Sequence, residues 1–192
     1  MRLRTATHAD VPAIETLIAD AGVALSRGFY TDAQAAAVTE QIFGVDTQLV
    51  VDGTYFVVEV DGVIAAAGGW SRRGTLFGSD HAKHAHGSGN AARPDPLLDP
   101  ATDAARIRAF FVSPRHARRG LGSRLLVHSA AAAWAAGFRR LTLVATMPGV
   151  PLYEAFGFTV DDRFALPLVD GKRIPLATMS RALPGPMLKG PR

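Results

Sequence analysis

Apolar and polar positions in the first 43 residues predict one short strand followed by two helices. Residues 2–7 alternate position by position, as a half-buried strand does. Apolar residues then recur every three or four positions over residues 11–21, which predicts a helix that Asp10 caps and Gly22 ends. A comparable segment, residues 32–43, predicts a second helix that begins after a threonine and stops before a glycine.

The middle of the chain is predicted to form an antiparallel hairpin, followed by a long loop. Residues 54–60 are rich in β-branched and aromatic side chains, and residues 63–71 are again mostly apolar. The Asp61-Gly62 pair between them is typical of a two-residue hairpin turn. Residues 74–103 are rich in glycine, proline, histidine and aspartate and show no sustained period, so we expect an insertion there.

The remaining residues predict further strands and helices. The pattern indicates a strand at 105–112, a long helix at 118–137 and a strand at 139–146. A short helix within 149–158 and two closing strands at 158–169 and 172–182 follow. Gly137 stands where a helix commonly ends in a left-handed residue. With 192 residues, nearly half of them apolar, we expect a single domain of mixed α and β structure spanning residues 1–192.

Composition excludes several kinds of chemistry and location. The chain has no cysteine, so disulfides, thiolate nucleophiles and cysteine-bound metals are excluded. We find no secretory signal and no apolar run near the roughly 20 residues that cross a bilayer, so we expect a cytoplasmic protein without a membrane partner. His81, His84 and His86 stand in a glycine-rich loop, where solvated histidines are expected, and we predict no metal site.

The densest basic cluster lies in FFVSPRHARRGLGSRLL, residues 110–126, and the formal net charge of +4 favours an anionic partner. Gly120 and Gly122 stand near the predicted start of a helix, where free N–H groups and the helix dipole attract anions. Glycines leave room for a bulky anion to reach those donors. We therefore predict a pyrophosphate cradle of main-chain donors, suited to a small phosphorylated ligand rather than to nucleic acid.

Two common phosphate-binding motifs do not match this segment. No Gly-x-x-x-x-Gly-Lys-Ser/Thr string is present, and Leu125 stands where the dinucleotide fingerprint needs its third glycine. Instead, VSPRHARRGLGSRLL resembles the acetyl-CoA loop of the GNAT superfamily of N-acetyltransferases, and LYEAFGF, residues 152–158, resembles that family's Tyr-x-x-x-Gly-Phe element. The resemblance includes the order of strands and helices and covers about residues 2–182, apart from the 74–103 insertion.

The resemblance implies a GNAT-like acyl-CoA N-acyltransferase fold, with a mostly antiparallel mixed sheet and helices on both faces. Its fourth and fifth strands would splay apart, and the pantetheine arm of acetyl-CoA would pair with main chain in the fourth. A backbone N–H near Val112 would polarise the thioester carbonyl, and N–H groups of the helix start would hold the pyrophosphate. The implied cofactor-binding residues are Phe110, Phe111, Val112, Arg118, Arg119, Gly120, Leu121, Gly122, Ser123, Thr146 and Tyr153.

Two positions depart from the family pattern. Ala117 stands where the family usually has glutamine or arginine, so one side-chain contact to phosphate would fall to Arg118 instead. Thr146 stands where the family often has an asparagine that contacts the pantetheine amide. Because the cradle is mostly main chain, we expect cofactor binding to survive both departures.

The implied reaction is transfer of acetyl from acetyl-CoA to a primary amine by direct attack in a ternary complex. By analogy with the family, Tyr153 would protonate the departing thiolate, and its reference pKa of about 10 keeps it protonated at neutral pH. No carboxylate lies in residues 105–112 or 139–146, so Glu59 on the hairpin is the first candidate for the base and Asp103 the second. Neither carboxylate would be needed as a base if a chain of water molecules carried the amine proton away or if the acceptor amine had a low pKa.

Acceptor contacts would come from the first helices, the hairpin end and the insertion, where Tyr30, Trp70 and Arg72 are the candidates. The alternative is that none of them contacts a ligand: the aromatic rings would pack in the core and the arginine would be solvated. We expect a small-molecule amine as the acceptor and no nucleic-acid partner. A homodimer is expected only because members of the resembled family commonly dimerise. A non-catalytic domain that binds or senses acyl-CoA is the alternative, since no base is evident, and a nucleic-acid or nucleotide binder is the second.

Overall fold

A computed structural model describes residues 1–75, 95–168 and 170–185. The strands within these ranges are Arg2–Thr5 (β1), Tyr55–Val60 (β2), Val63–Ser71 (β3), Ala105–Val112 (β4), Arg140–Thr146 (β5), Thr159–Pro167 (β6) and Arg173–Ala182 (β7). The α-helices are Val11–Ala24 (α1), Asp32–Gln41 (α2), Thr47–Val51 (α3), Leu121–Ala135 (α4) and Val150–Ala155 (α5). His81, His84 and His86 lie outside the described residues.

The seven strands form one sheet in the order β1-β2-β3-β4-β5-β7-β6. Neighbouring strands are antiparallel except β4 and β5, which are parallel and pair only at Ala105–Leu141 and Arg106–Thr142. Beyond that point the two strands diverge. The predicted fold class, a mostly antiparallel mixed sheet with splayed fourth and fifth strands, is therefore confirmed.

Apolar side chains cover both faces of this sheet. On one face α4 buries Leu125 and Leu126 completely, in a cluster that also includes Phe138 and Leu143. On the other face α1 buries Ile14 in a cluster with residues of β2 and α3. Burial of each large apolar side chain contributes about 1.5–3 kcal/mol, so these two layers fix the sheet on which the site is built.

Helix α1 differs from its prediction at both ends. It runs past Gly22 to Ala24. Gly22 has a packing role inside the helix, since a Cβ there would lie 2.5 Å from the hydroxyl oxygen of Thr39 in α2. The Asp10 carboxylate does not cap the helix. It accepts hydrogen bonds from the Thr7 N–H at 2.7 Å and from the Arg4 guanidinium at 2.7 and 2.8 Å.

Other elements fall near their predicted positions, with one addition. The hairpin turns at Asp61 and Gly62, and Gly137 follows α4 with a φ of +98°, as expected for a left-handed residue. The five-residue helix α3 was not predicted, because its apolar run is too short to show a period. No helix in the described part of the chain is long and apolar enough to span a bilayer.

Candidate active site

A cavity of about 260 Å³ lies where β4 and β5 diverge. Its walls are the end of α1, the segment after α2, most of β4, the end of β5 and the start of α5. Five of the sequence-predicted residues line it: Phe110, Phe111, Val112, Thr146 and Tyr153. The gap in the sheet therefore brings residues of the two predicted motifs to one site.

A bulge in β4 shapes one wall of this cavity. Ala109 has a φ of +55°, and the pairing with β3 shifts register between Ala67 and Gly69. The Tyr55 hydroxyl donates a hydrogen bond to the Ala109 carbonyl at 3.2 Å, which ties the bulge to β2. Beyond Arg106 the edge of β4 that faces β5 has no strand partner among the described residues, so its main-chain groups can pair with an extended ligand.

The glycine- and arginine-rich segment forms the turn into α4. Gly120 has a φ of +78° and Arg118 a φ of +61°, and a Cβ on Gly120 would meet nothing within 4 Å. Within the described structure, no hydrogen bond is found from the N–H groups of residues 120–123, and α4 begins its own hydrogen bonds with that from the Arg124 N–H to the Gly120 carbonyl. The exposed arginines of the segment are Arg115, Arg118, Arg119 and Arg124.

These free donors fit the predicted diphosphate ligand. A row of N–H groups at a helix start binds phosphate oxygens directly and adds the positive end of the helix dipole. The arginines raise the local positive potential without occupying the donors. The segment thus has the main-chain chemistry that a pyrophosphate needs.

Tyr153 in α5 lines the cavity. Its ring packs edge-on against Phe110, with centroids 6.4 Å apart, and against Phe158 at 5.7 Å. Gly149 permits this position, since a Cβ there would lie 3.3 Å from the Tyr153 ring. The side chain is 8% exposed, and burial raises the pKa of Tyr153 well above its usual range. Its hydroxyl has no hydrogen-bond partner among the described residues, so it is available to a ligand.

A family model described as the acetyltransferase (GNAT) family matches residues 24–158, well over half of the chain. The chain belongs to the GNAT acetyltransferase family. It is therefore an acyltransferase, and the resemblance of the two sequence motifs is confirmed.

Solved structures of GNAT proteins share the fold at low sequence identity. A GCN5-related N-acetyltransferase from Rhodopseudomonas palustris is 16% identical, with a TM-score of 0.67 and 95% of each chain covered. The PaiA N-acetyltransferase from Thermoplasma acidophilum, solved in complex with coenzyme A, is 11% identical, with a TM-score of 0.62 and coverage of 94% of this chain and 98% of that one. The ribosomal-protein-S18-alanine N-acetyltransferase from Escherichia coli is 18% identical, with a TM-score of 0.55 and coverage of 95% and 93%.

The two candidate bases lie away from the cavity of this GNAT domain. The Glu59 carboxylate is 2.6 Å from Arg4, which also binds Asp10, and Glu59 does not line the cavity. Asp103 precedes β4 and accepts a hydrogen bond from the Asp99 N–H at 2.8 Å. The role of Glu59 as base stays a prediction, and its ion pair with Arg4 favours a structural role.

Replacing Glu59 with glutamine is expected to leave kcat/KM within about threefold and to lower the free energy of unfolding by about 0.5–1 kcal/mol, because Arg4 loses one of two partly exposed partners. Steady-state kinetics and chemical denaturation measure the two effects, and Asp103→Asn tests the second candidate in the same way. A loss of kcat above 30-fold in a stable Glu59→Gln variant would instead identify the base.

The three candidate acceptor residues do not line the cavity either. The Tyr30 hydroxyl donates to the Pro175 carbonyl at 2.8 Å and accepts from the Met147 N–H at 3.0 Å, so it braces the segment after β5 against β7. Trp70 is 3% exposed and packs on Phe138 with centroids 5.8 Å apart. The exposed Arg72 lies 5.6 Å from the Trp70 ring. Their acceptor role stays a prediction.

Sequence reasoning missed the charged residue that does line the cavity. Arg108 in β4 is 8% exposed, and one of its partners is Asp46, which is fully buried and lies 62 positions earlier in the chain. The only signal in the sequence was an arginine in the middle of an apolar strand. Among the described lining residues no carboxylate is present.

Proposed function

We propose that the protein transfers an acetyl group from acetyl-CoA to a primary amine of a small-molecule acceptor by direct attack in a ternary complex. The observation that carries this proposal is the opening between β4 and β5, where an unpaired strand edge meets a cavity that contains Tyr153. The structure of PaiA, a neighbour with the same fold solved with coenzyme A, supports the same ligand here. The cavity volume of about 260 Å³ favours a small acceptor.

The binding roles follow from main-chain chemistry. N–H groups of residues 118–123 would hold the pyrophosphate, and the unpaired edge of residues 110–112 would pair with the pantetheine arm. When bound, acetyl-CoA supplies an acetyl group activated as a thioester. The two contacts together would place that group in the cavity and hold the reactants in attacking geometry.

Two groups of the chain would stabilise charge as the reaction proceeds. The acceptor nitrogen forms a bond to the acetyl carbon, and the carbon–sulfur bond breaks. The N–H near Val112 donates to the carbonyl oxygen as negative charge develops there. Tyr153 donates its proton to the departing sulfur, and its raised pKa keeps it protonated until that moment. The proton of the amine passes to water, since no described carboxylate lines the cavity.

The pH dependence of the reaction tests the proposed exit of the amine proton. Without an enzymatic base, only the neutral fraction of the amine reacts, so log kcat/KM should rise with a slope of about 1 up to the pKa of the acceptor itself. Profiles measured with two acceptors of different pKa should shift with the acceptor. A common plateau near pH 6–7 for both would reveal a carboxylate or histidine base and contradict this route.

A non-catalytic domain that binds acyl-CoA is the second candidate, favoured by the lack of a described carboxylate in the cavity. Release of free thiol from acetyl-CoA, measured with a panel of primary amines, separates the two functions. Acetylated product with at least one amine supports the transferase. Tight binding of coenzyme A in calorimetry, with no product from any amine, supports the binding domain instead.

A further inference from the structure

We propose that Arg108 binds a carboxylate of the acceptor, which makes the substrate an amino carboxylate with an apolar side chain. The inference rests on the proposed function and specifies its acceptor. Arg108 is the only charged side chain among the described residues that line the cavity, and it lies on the same β4 segment as the bulge. A cationic group in the wall of a small apolar cavity selects for a ligand that carries a negative charge.

The partners of Arg108 leave much of its guanidinium group unused. Its Nη1 lies 3.4 Å from the Asp46 carboxylate, and its Nη2 donates to the Arg73 carbonyl at 3.3 Å. Both distances exceed the 2.7–2.9 Å of a strong charge-assisted hydrogen bond. The buried Nε has no hydrogen-bond partner in the described structure. Nε itself is closed to solvent, but each Nη carries two N–H donors and makes a single contact here, so one donor on each Nη remains for a bidentate carboxylate.

Burial leaves the charge of Arg108 incompletely compensated. Removal from water lowers its pKa, and the attraction of Asp46 and, after it, of Asp95 opposes this effect without outweighing it. Asp46 is fully buried and is not among the described residues that line the cavity, whereas Arg108 is. A carboxylate in the cavity would supply the missing compensation.

Apolar residues in the cavity wall indicate that the rest of the acceptor is apolar. Leu25, Ile42 and Phe43 line the cavity on the side of α1 and α2. Leu25 is 38% exposed, and Phe29, which follows it in the same loop, is 49% exposed. An acceptor with an apolar side chain can cover this surface, whereas a polyamine would bring its cations close to Arg108 with no described carboxylate in the lining to receive them.

The test compares acceptors with and without the carboxylate. Every kcat/KM is referred to the neutral fraction of the amine, because a neighbouring carboxylate also raises the pKa of the α-amino group. We expect the wild-type protein to acetylate L-leucine with a kcat/KM at least about tenfold above L-leucinamide and 3-methylbutylamine, because the charge-assisted pair is lost with either. Spermidine should be poorer than leucine by a similar factor or more. A wild-type protein that prefers leucinamide, 3-methylbutylamine or spermidine to leucine overturns the inference.

The variant Arg108→Gln should lose this discrimination. The ratio of kcat/KM for leucine to that for leucinamide is expected to fall to about 1, while the affinity for coenzyme A stays within about threefold of wild type. The double variant Arg108→Gln/Asp46→Asn also removes the charge of the residue that Arg108 contacts and should show the same ratio. An unchanged ratio in either folded variant contradicts the inference.

Binding measurements separate this inference from the proposed function. If no amine is acetylated, the proposed acetyl transfer is refuted. Calorimetric titration of leucine into the protein saturated with coenzyme A still shows whether Arg108 binds the carboxylate of leucine. Leucine binding that is lost in Arg108→Gln supports the site without catalysis. Equal binding of leucine and leucinamide to the wild type refutes it.

Discussion

Replacing Tyr153 with phenylalanine is expected to lower kcat by about 100-fold or more, while the affinity for coenzyme A stays within about threefold. The change removes only the hydroxyl, which has no hydrogen-bond partner among the described residues, and keeps the ring that packs on Phe110 and Phe158. The departing thiolate then has no proton donor, whereas the contacts that bind the cofactor remain. Thiol-release kinetics and calorimetry measure the two quantities.

Tyr30→Phe provides the matched control for this variant. The Tyr30 hydroxyl bridges the Pro175 carbonyl and the Met147 N–H, so its loss should lower the free energy of unfolding by about 1–2 kcal/mol. Tyr153→Phe should unfold close to wild type, since it breaks no hydrogen bond between described residues. Equal losses of stability, turnover and affinity in Tyr153→Phe would mean that the residue is structural.

Replacing Gly122 with valine is expected to weaken coenzyme A binding at least about 30-fold. A Cβ at Gly122 would lie 3.2 Å from Leu152 Cδ2 and 3.6 Å from Val112 Cγ2, and the methyl groups of valine would extend further. Such overpacking costs about 1–3 kcal/mol and would push the start of α4 away from β4 and α5, which displaces the N–H donors. Isothermal calorimetry measures the dissociation constant.

A graded series makes the Gly122 result interpretable. Gly122→Ala adds only the Cβ against the flexible end of Leu152, so its effect should be severalfold smaller than that of valine. Circular dichroism and thermal melting check that both variants fold. Unchanged affinity in a folded Gly122→Val protein would place the diphosphate elsewhere.

The sequence predicts those parts of this protein that depend on local chemistry. The hairpin turn at Asp61 and Gly62, the left-handed Gly137 and the glycine-rich start of α4 follow from the conformations that these residues allow. The tyrosine of the second motif also lines the cavity, because its short helix directly follows β5. In each case neighbours in sequence are neighbours in space.

Features that depend on distant pairings were not predictable. The Arg108–Asp46 contact joins residues 62 positions apart, and the bulge at Ala109 depends on the register against β3. Gly22 was predicted to end α1, yet it lies inside the helix, at a place where any side chain would clash with Thr39 of α2. Tyr30 is an acceptor-binding candidate in the sequence because it lies in the region of the first helices. Only the structure shows that its hydroxyl is hydrogen-bonded to the Pro175 carbonyl and the Met147 N–H.

The divergence of β4 from β5 has a mechanical consequence. With only two residue pairs joining these strands, the sheet consists of two halves, β1 to β4 and β5 to β7, that meet at one corner. The arginine of the cavity belongs to the first half, and the tyrosine follows the first strand of the second. Away from that corner, the two halves are held together by the core cluster that packs residues of both, so the separation between the proposed acceptor anchor and the proposed proton donor depends on side-chain packing rather than on the hydrogen bonds of the sheet.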